Sequence, residues 1–261
     1  MSELVVLRQE GRVTILTFQN GPVNVSSKEV VRQLGQHLTQ LQTDNTVGAL
    51  VLTGAGRKAF VAGADITGFP GIIARGETGI REYLMEDHRV FRQLAEFPKP
   101  VIAAVNGLAL GGGLELALMC DIRIAEEHAR FGMPEITLGM FPGYGGTQRL
   151  TRLVGTSIAK ELIFTGRMFD AQEALRIGVV SRIVPDGESL ISAVKLAAEI
   201  AEKSAPVLAL AKQAINEGLD MTLEQGVENE ARLLAKAFLT EDNAEGVSAF
   251  LQKRKPIFRH C

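Results

Sequence analysis

Two glutamates stand where a carboxylate is out of place unless something uses it. Glu115 interrupts the apolar run of GLALGGGLELAL, residues 107–118, directly after three consecutive glycines, and Glu135 sits in FGMPEITLG. Glycine costs roughly 1 kcal/mol against alanine inside a helix, and a carboxylate turned toward an apolar face costs more unless it finds partners. A helix whose first residues are Gly111 to Gly113 places free backbone N–H groups and the positive end of its dipole beside Glu115. With no Cβ in the way, a ligand oxygen can approach those N–H groups closely, which is how an oxyanion hole is commonly made. On the residues alone two plainer readings stay open. Glycine-rich helix starts also serve close packing, and a first-turn glutamate also serves as a solvent-facing partner of the dipole.

Other chemistries lack their residues. The dinucleotide fingerprint needs glycine or alanine at its last position, and both Gly111-Gly112-Gly113-Leu114-Glu115-Leu116 and Gly143-Tyr144-Gly145-Gly146-Thr147-Gln148 fail there. A phosphate loop needs a Gly-Lys pair, which is absent. The nearest approach to a serine-hydrolase elbow, Gly155-Thr156-Ser157-Ile158-Ala159, lies in helical rather than strand pattern. The histidines, His37, His88, His128 and His260, form no i, i+4 pair, so no metal site is expected. Cys120 and Cys261 stand far apart with no CxxC spacing, so neither a disulfide framework nor a thiolate metal site is expected, and a reducing compartment fits.

The elements that must position the two glutamates can be read from periodicity. LVVLRQ and RVTILTF, separated by EG, predict a hairpin, and Asn20 to Pro22 ends it. Val30, Val31, Leu34, Leu38 and Leu41 predict a one-faced helix over about 27–42. VGALVLTG, VIAAVNG, DIRIA and VVSRIV predict buried strands. A helix is expected around 80–97, a glycine-dotted loop runs through GAGRKAFVAGADITGFP, and LGMFPGYGGTQRL reads as turns leading into a helix. Strands alternating with helices predict an α/β architecture over 1–186. From Gly187 the pattern is helical, with Leu190, Val194, Ala197 and Ala201 on one face and Leu223, Val227, Leu234 and Phe238 on another. These faces either close over the core or meet another subunit.

Composition narrows the partner class. The 261 residues are 46% hydrophobic and 22% charged, and 28 Lys+Arg against 30 Asp+Glu leave a formal charge of −2. Nothing here resembles the basic field of a nucleic-acid binder, so a small-molecule substrate is expected. MSELVVLRQEGRVTIL has neither a signal-peptide nor a transit-peptide pattern, and no apolar run approaches the ~20 residues of a membrane span, so a cytoplasmic protein is expected.

The blocks AFVAGADI, KPVIAAVNGLALGGGLELALMCDIRIA, RFGMPEITLGMFPGYGGTQRLTRLVG, AKELIFTG, AQEALRIGVV and FLQKRKPIF, in this order, resemble the enoyl-CoA hydratase/isomerase family, the crotonases. The resemblance implies a spiral of ββα units over 1–186, with the CoA and thioester site, and a helical region over 187–261 used for assembly as a trimer or as a hexamer built from two trimers. It implies an acyl-CoA thioester substrate and no cofactor, coenzyme A being part of the substrate. The thioester oxygen is expected on the N–H groups of Ala64 and Gly112. Glu115 and Glu135 map onto the two carboxylates of family members that add water to a 2-enoyl-CoA, with Glu115 as the base and Glu135 as the acid, one pKa raised and the other ordinary. Val23, Val25 and the backbone of Ala62, Ala64, Asp65, Ile66 and Thr67 are expected along the CoA groove, and Lys253 at a neighbour's CoA phosphate. Met133, where many hydratases carry glutamine, and the NGPVNVSS segment depart from the commoner pattern and bear on acyl preference. Alternatives within the family are a 3,2-enoyl-CoA isomerase, a hydratase of branched or aromatic acyl-CoA, and an RNA-binding relative, the last disfavoured by the slightly acidic charge.

Overall fold

The computed structural model describes residues 2–260. Cys120 is a buried free thiol, and the expectation about its pairing with Cys261 lies outside the described residues. The chain opens with the expected hairpin: β1 (Val5–Glu10) and β2 (Val13–Phe18) pair antiparallel, with Val5 opposite Phe18. Helix α1 (Lys28–Leu41) follows, capped by the Ser27 side chain on the Val30 N–H, and buries the five apolar residues whose spacing predicted it.

A unit of two strands and a helix then repeats. The first comprises β3 (Ala49–Gly54), β4 (Ala59–Val61), α2 (Phe69–Ile73) and α3 (Gly76–Ala95). The second comprises β5 (Val101–Val105), β6 (Leu108–Leu110) and α4 (Gly112–Met119). The third comprises β7 (Ile122–Glu126), β8 (Arg130–Gly132), α5 (Gly146–Val154) and α6 (Thr156–Thr165), and β9 (Met168–Asp170), α7 (Ala171–Arg176) and β10 (Arg182–Val184) complete the strand-bearing part. The first strand of every unit enters a larger sheet, β1-β2-β3-β5-β7-β10, and the second enters a smaller one, β4-β6-β8-β9. Pairing is parallel except between β1 and β2 and between β8 and β9.

Strands β3 and β5 are buried along their whole length because both faces of the larger sheet are covered. Leu50, Leu52, Val101, Ala103 and Val105 pack into the main core with Leu34 and Leu38 of α1 and Phe91 and Leu94 of α3. The alternate residues Ala49, Val51, Ile102 and Ala104 meet Ala193, Ala197 and Ala201 of α8 (Ser189–Ala201) on the opposite face. The period of two between strand residues thus divides the apolar surface between two cores.

Several expectations need correction. The loop read through GAGRKAFVAGADITGFP contains β4 and the start of α2, and the short strands β6, β8 and β9 are not among the strands read from the sequence. Three residues carry too little periodicity to be seen, and each of these strands exists through the neighbour it pairs with. The last strand is Arg182–Val184 alone, Val179 and Val180 being buried in the turn before it. Gly111 is the N-cap of α4 rather than one of its first helical residues. The region from 187 is helical as read, continuing with α9 (Ala205–Gly218), α10 (Leu223–Phe238) and α11 (Glu241–Leu251), but α8 is a layer of the core and not an appendage to it.

Candidate active site

The second strands of the units bring the glycines and glutamates into one cleft. Gly54 ends β3 with its Cα so close to the next turn that a side chain would lie 2.1 Å from the Ala59 carbonyl oxygen. Asn106, just beyond β5, holds that turn by accepting the Gly54 N–H at 3.1 Å and donating to the Gly54 and Gly56 carbonyls, both at 2.7 Å. Buried Asn24, at a left-handed φ of 53°, donates to Ala55 and Ala59 carbonyls at 3.0 and 2.8 Å. These contacts aim the segment after β4. There the Ala62 N–H reaches the Val23 carbonyl at 3.0 Å, the Ser26 N–H the Gly63 carbonyl at 2.8 Å and the Asp65 N–H the Ser26 carbonyl at 3.0 Å. Because Gly63 and Asp65 bond toward Ser26, the intervening Ala64 N–H points to the other side, as in any parallel pairing.

What Ala64 faces is the start of α4. Gly111 caps the helix at a φ of 51°, where only glycine is unstrained, and its N–H is held by the Gly132 carbonyl at 2.8 Å. Gly113 lies so tightly on β4 that a side chain would collide with the Val61 carbonyl oxygen at 1.8 Å. Gly112 is open instead: a methyl there would lie 3.8 Å from the Ala64 N, 3.7 Å from the Tyr144 ring and 4.0 Å from Glu115 Oε2. An oxygen seated against Gly112 therefore meets two N–H donors, one of them at the positive end of a helix.

Glu115 is 1% exposed, and its Oε1 accepts the N–H groups of Tyr144 and Gly146, each at 2.7 Å. The other oxygen is the one turned to the cleft. Glu135, in the turn after β8, places Oε1 against Gly111, where a side chain would come within 2.6 Å, and its buried Oε2 has no partner among the described residues. Burial, helped by the Glu135 charge, pushes the Glu115 carboxyl up to about 7 against the pull of its two N–H donors. Burial raises Glu135 as well. The expectation of one raised and one ordinary carboxyl is thus corrected: both are raised, because both leave bulk water for the same apolar cleft.

The structure brings Ala64 and Glu115 to Gly112 and Glu135 to the neighbouring Gly111, and the backbone of Val23 and Ser26 bonds the stretch from Ala62 to Asp65. Asp65 caps the turn there, accepting the Thr67 N–H at 3.0 Å and its hydroxyl at 2.6 Å, beside half-exposed Ile66. Lys253 does not join them. It is exposed beyond α11, and among the described residues no bond links it to the cleft. Met133 is fully buried.

Residues the sequence reading passed over position Glu115. The Tyr144 hydroxyl donates to buried Asp87 on α3 at 2.9 Å, and Lys28 of α1 holds Asp87 at 2.8 Å, so the Tyr144 backbone is pinned from behind while its N–H holds the carboxylate. Tyr144 and Gly146 were visible inside GYGGTQRL as a turn. Asp87 and Lys28 carry no local signal, since they meet Tyr144 only through tertiary packing.

The whole chain is similar to known proteins along nearly its entire length. The family model described as enoyl-CoA hydratase/isomerase matches residues 8–260. The short-chain-enoyl-CoA hydratase of Clostridium acetobutylicum is 43% identical over 253 residues, 96% of this chain and 95% of that protein. A probable enoyl-CoA hydratase of Rhizobium meliloti is 46% identical over 260 residues, 99% of this chain and 98% of the relative. The solved enoyl-CoA hydratase of Bacillus anthracis superposes with a TM-score of 0.93 at 38% identity, covering 99% of this chain and 100% of the other. With two sheets of first and second strands, a glycine-led helix on the smaller of them and this match along nearly the entire sequence, the chain belongs to the enoyl-CoA hydratase/isomerase family.

Proposed function

We propose that the protein adds water to trans-2-enoyl-CoA thioesters, giving 3-hydroxyacyl-CoA as in fatty acid β-oxidation. The observation that carries this reading is the pair Glu115 and Glu135 converging on Gly111 and Gly112 beside the Ala64 N–H. The hydratase names of its relatives support it.

In the proposed reaction the thioester oxygen sits on the Ala64 and Gly112 N–H groups. Water attacks the β-carbon, the electrons of the double bond move toward the carbonyl, and the oxygen becomes an enolate held at about 2.7–3.1 Å by both donors. Those bonds strengthen as the charge grows, so they favour the transition state over the neutral substrate. Glu115 Oε2 is free to take the proton from water because Oε1 is engaged by Tyr144 and Gly146. Glu135, carrying its proton on an oxygen with no other partner, delivers it to the α-carbon. Proton exchange with solvent then resets the pair. The reaction calls for no cofactor besides the coenzyme A that the substrate brings.

Val23, Val25 and the backbone of Ala62, Asp65, Ile66 and Thr67 line the CoA groove in this reading, with Lys253 serving a neighbouring subunit's CoA phosphate. We read the protein as a homo-oligomer, a trimer or two trimers, in the cytoplasm, with neither nucleic acid nor membrane as partner. No helix among the described residues is long and apolar enough to cross a membrane.

The test is the ratio of two activities, hydration of crotonyl-CoA and isomerisation of a 3-enoyl-CoA, in the wild type, Glu115→Gln and Glu135→Gln. Hydration should fall by ~10² to 10⁴-fold in Glu115→Gln, the usual loss with a general base, while isomerisation falls less because Glu135 alone can shuttle that proton. Glu135→Gln should suppress both. A wild type that isomerises far faster than it hydrates, or hydration untouched in Glu115→Gln, makes the protein an isomerase instead.

A further inference from the structure

A second cluster of ionisable groups lies away from the cleft. Glu126 ends β7, His128 follows it, and Asp186 sits in the turn between β10 and α8. A nitrogen or oxygen from each lies within 4.8 Å of the others, a grouping that no other three such side chains reach among the described residues. Glu126 is 2% exposed. Its Oε1 accepts the Ser189 hydroxyl at 2.7 Å, which turns Oε2 toward His128 Nδ1 at 3.5 Å, and that buried oxygen has no hydrogen-bond partner among the described residues. Asp186 Oδ1 lies 2.8 Å from the same Nδ1 and accepts the His128 backbone N–H at 3.1 Å.

The other ring nitrogen decides the electronic problem. His128 Nε2 is 3.1 Å from the Arg57 carbonyl oxygen, which can only accept, so Nε2 carries a hydrogen. In the neutral ring Nδ1 is then a lone pair facing two carboxylate oxygens, and the three repel one another. A proton on Nδ1 hydrogen-bonds one of them, Asp186 at 2.8 Å, and stands 3.5 Å from the buried Glu126 Oε2, which still accepts no hydrogen bond. A divalent cation in the middle satisfies all three lone pairs and cancels both carboxylate charges. A ligating histidine that gives its remaining N–H to a backbone carbonyl is the usual outer support of such a centre.

We propose that Glu126 Oε2, His128 Nδ1 and Asp186 Oδ1 bind a divalent d-block cation, with Zn²⁺ the best match to one imidazole, two carboxylates and a coordinating water. The half-exposed Asp186 and His128 leave a way in for the ion. Its place is structural. Through the Arg57 carbonyl it fastens the β3–β4 turn, the same turn that Asn24 and Asn106 grip, to the end of β7 and the start of α8. None of the groups proposed for hydration takes part, so the site stands or falls independently of that reaction.

The test uses the full chain stripped with EDTA and titrated with ZnCl2 by calorimetry, alongside thermal unfolding with and without the metal. The expected result is one Zn²⁺ per chain at micromolar or lower concentration and a rise in Tm. Exposed Asp186→Asn, which should fold normally, and His128→Gln should each lose the Tm rise and weaken binding by roughly 10-fold or more. Co²⁺ in place of zinc should give visible d–d absorption in the wild type only. Saturation reached only at millimolar zinc, or binding and Tm rise unchanged in Asp186→Asn, overturns the proposal and leaves a protonated His128 between two carboxylates.

Discussion

Glu115 is held in a position that resists its charge and is given two N–H groups that support it. Burial wins, and it pushes the carboxyl up to about 7. A base must be ionised, so kcat/KM for crotonyl-CoA should fall on the acid side with a midpoint near that value, and the limb should vanish from the residual rate of Glu115→Gln. Stability should carry the same signature with a definite sign. A carboxyl whose folded value is raised above its unfolded value contributes stability below the unfolded value and loses it as pH climbs through the folded one. Urea midpoints of the wild type should therefore drop between pH 5 and 8, and those of Glu115→Gln should drop less, since an amide does not titrate there while its oxygen can still accept from Tyr144 and Gly146. An acid limb centred near 4.5 would remove Glu115 as the group that sets the rate.

Helix α4 and the β3–β4 turn decide whether the two N–H donors face the same point. The three glycines do different work: Gly111 turns the chain, Gly113 lets the helix lie on β4, and Gly112 leaves the open side. Gly113→Ala should thus unfold or displace α4, because a methyl would meet the Val61 carbonyl oxygen at 1.8 Å, whereas Gly111→Ala strains the cap and crowds Glu135. Circular dichroism melts of the two variants should show Gly113→Ala as the poorer folder, and equal stability would dissolve the packing argument. Asn106→Ala removes three bonds from the turn without touching the cleft. About 1–3 kcal/mol should be lost for each buried group left unpaired, read from urea unfolding. Of all this, the sequence exposed the glycines and Glu115, because a break in an apolar run is a local signal. It did not expose Asn106 or Asn24, whose partners lie 52 and 35 residues away.

The molecule as a whole leaves apolar surface without cover. Leu223, Val227, Leu234 and Phe238, whose spacing predicted one face of a helix, are 85%, 55%, 53% and 63% exposed on α10 in the single chain, and Phe250 and Leu251 of α11 are exposed with them. Contiguous apolar surface of this kind marks contact with another molecule, and the proposed oligomer supplies it. Phe238→Glu should convert the assembly to smaller species in light scattering without loss of helix content, and deleting the chain from Leu223 should yield smaller, aggregation-prone species. A native-sized particle in both cases puts the interface elsewhere. By contrast the apolar face of α8 is already used, its alanines seated on β3 and β5.

The sequence by itself determined the elements whose pattern is long enough to be periodic and the chemistry whose residues are near one another along the chain. The hairpin, α1, the buried strands β3, β5 and β7, and the motif of glycines with Glu115 belong to this class, and so does membership of the family, because it rests on order and spacing. Tertiary structure decided what depends on two distant segments meeting. The three-residue strands form only by pairing, Tyr144 is tied through its hydroxyl to Asp87 of α3 and by way of it to Lys28 of α1, and both carboxyls are raised because burial removes them from water. The histidines make the contrast plain: with no i, i+4 pair among them they predicted no metal site. Glu126 and His128 nevertheless meet Asp186, 58 residues from His128 in sequence. Helical spacing registers only neighbours along one element, while a cluster is created by the energy of packing β7 beside β10, which no local pattern encodes.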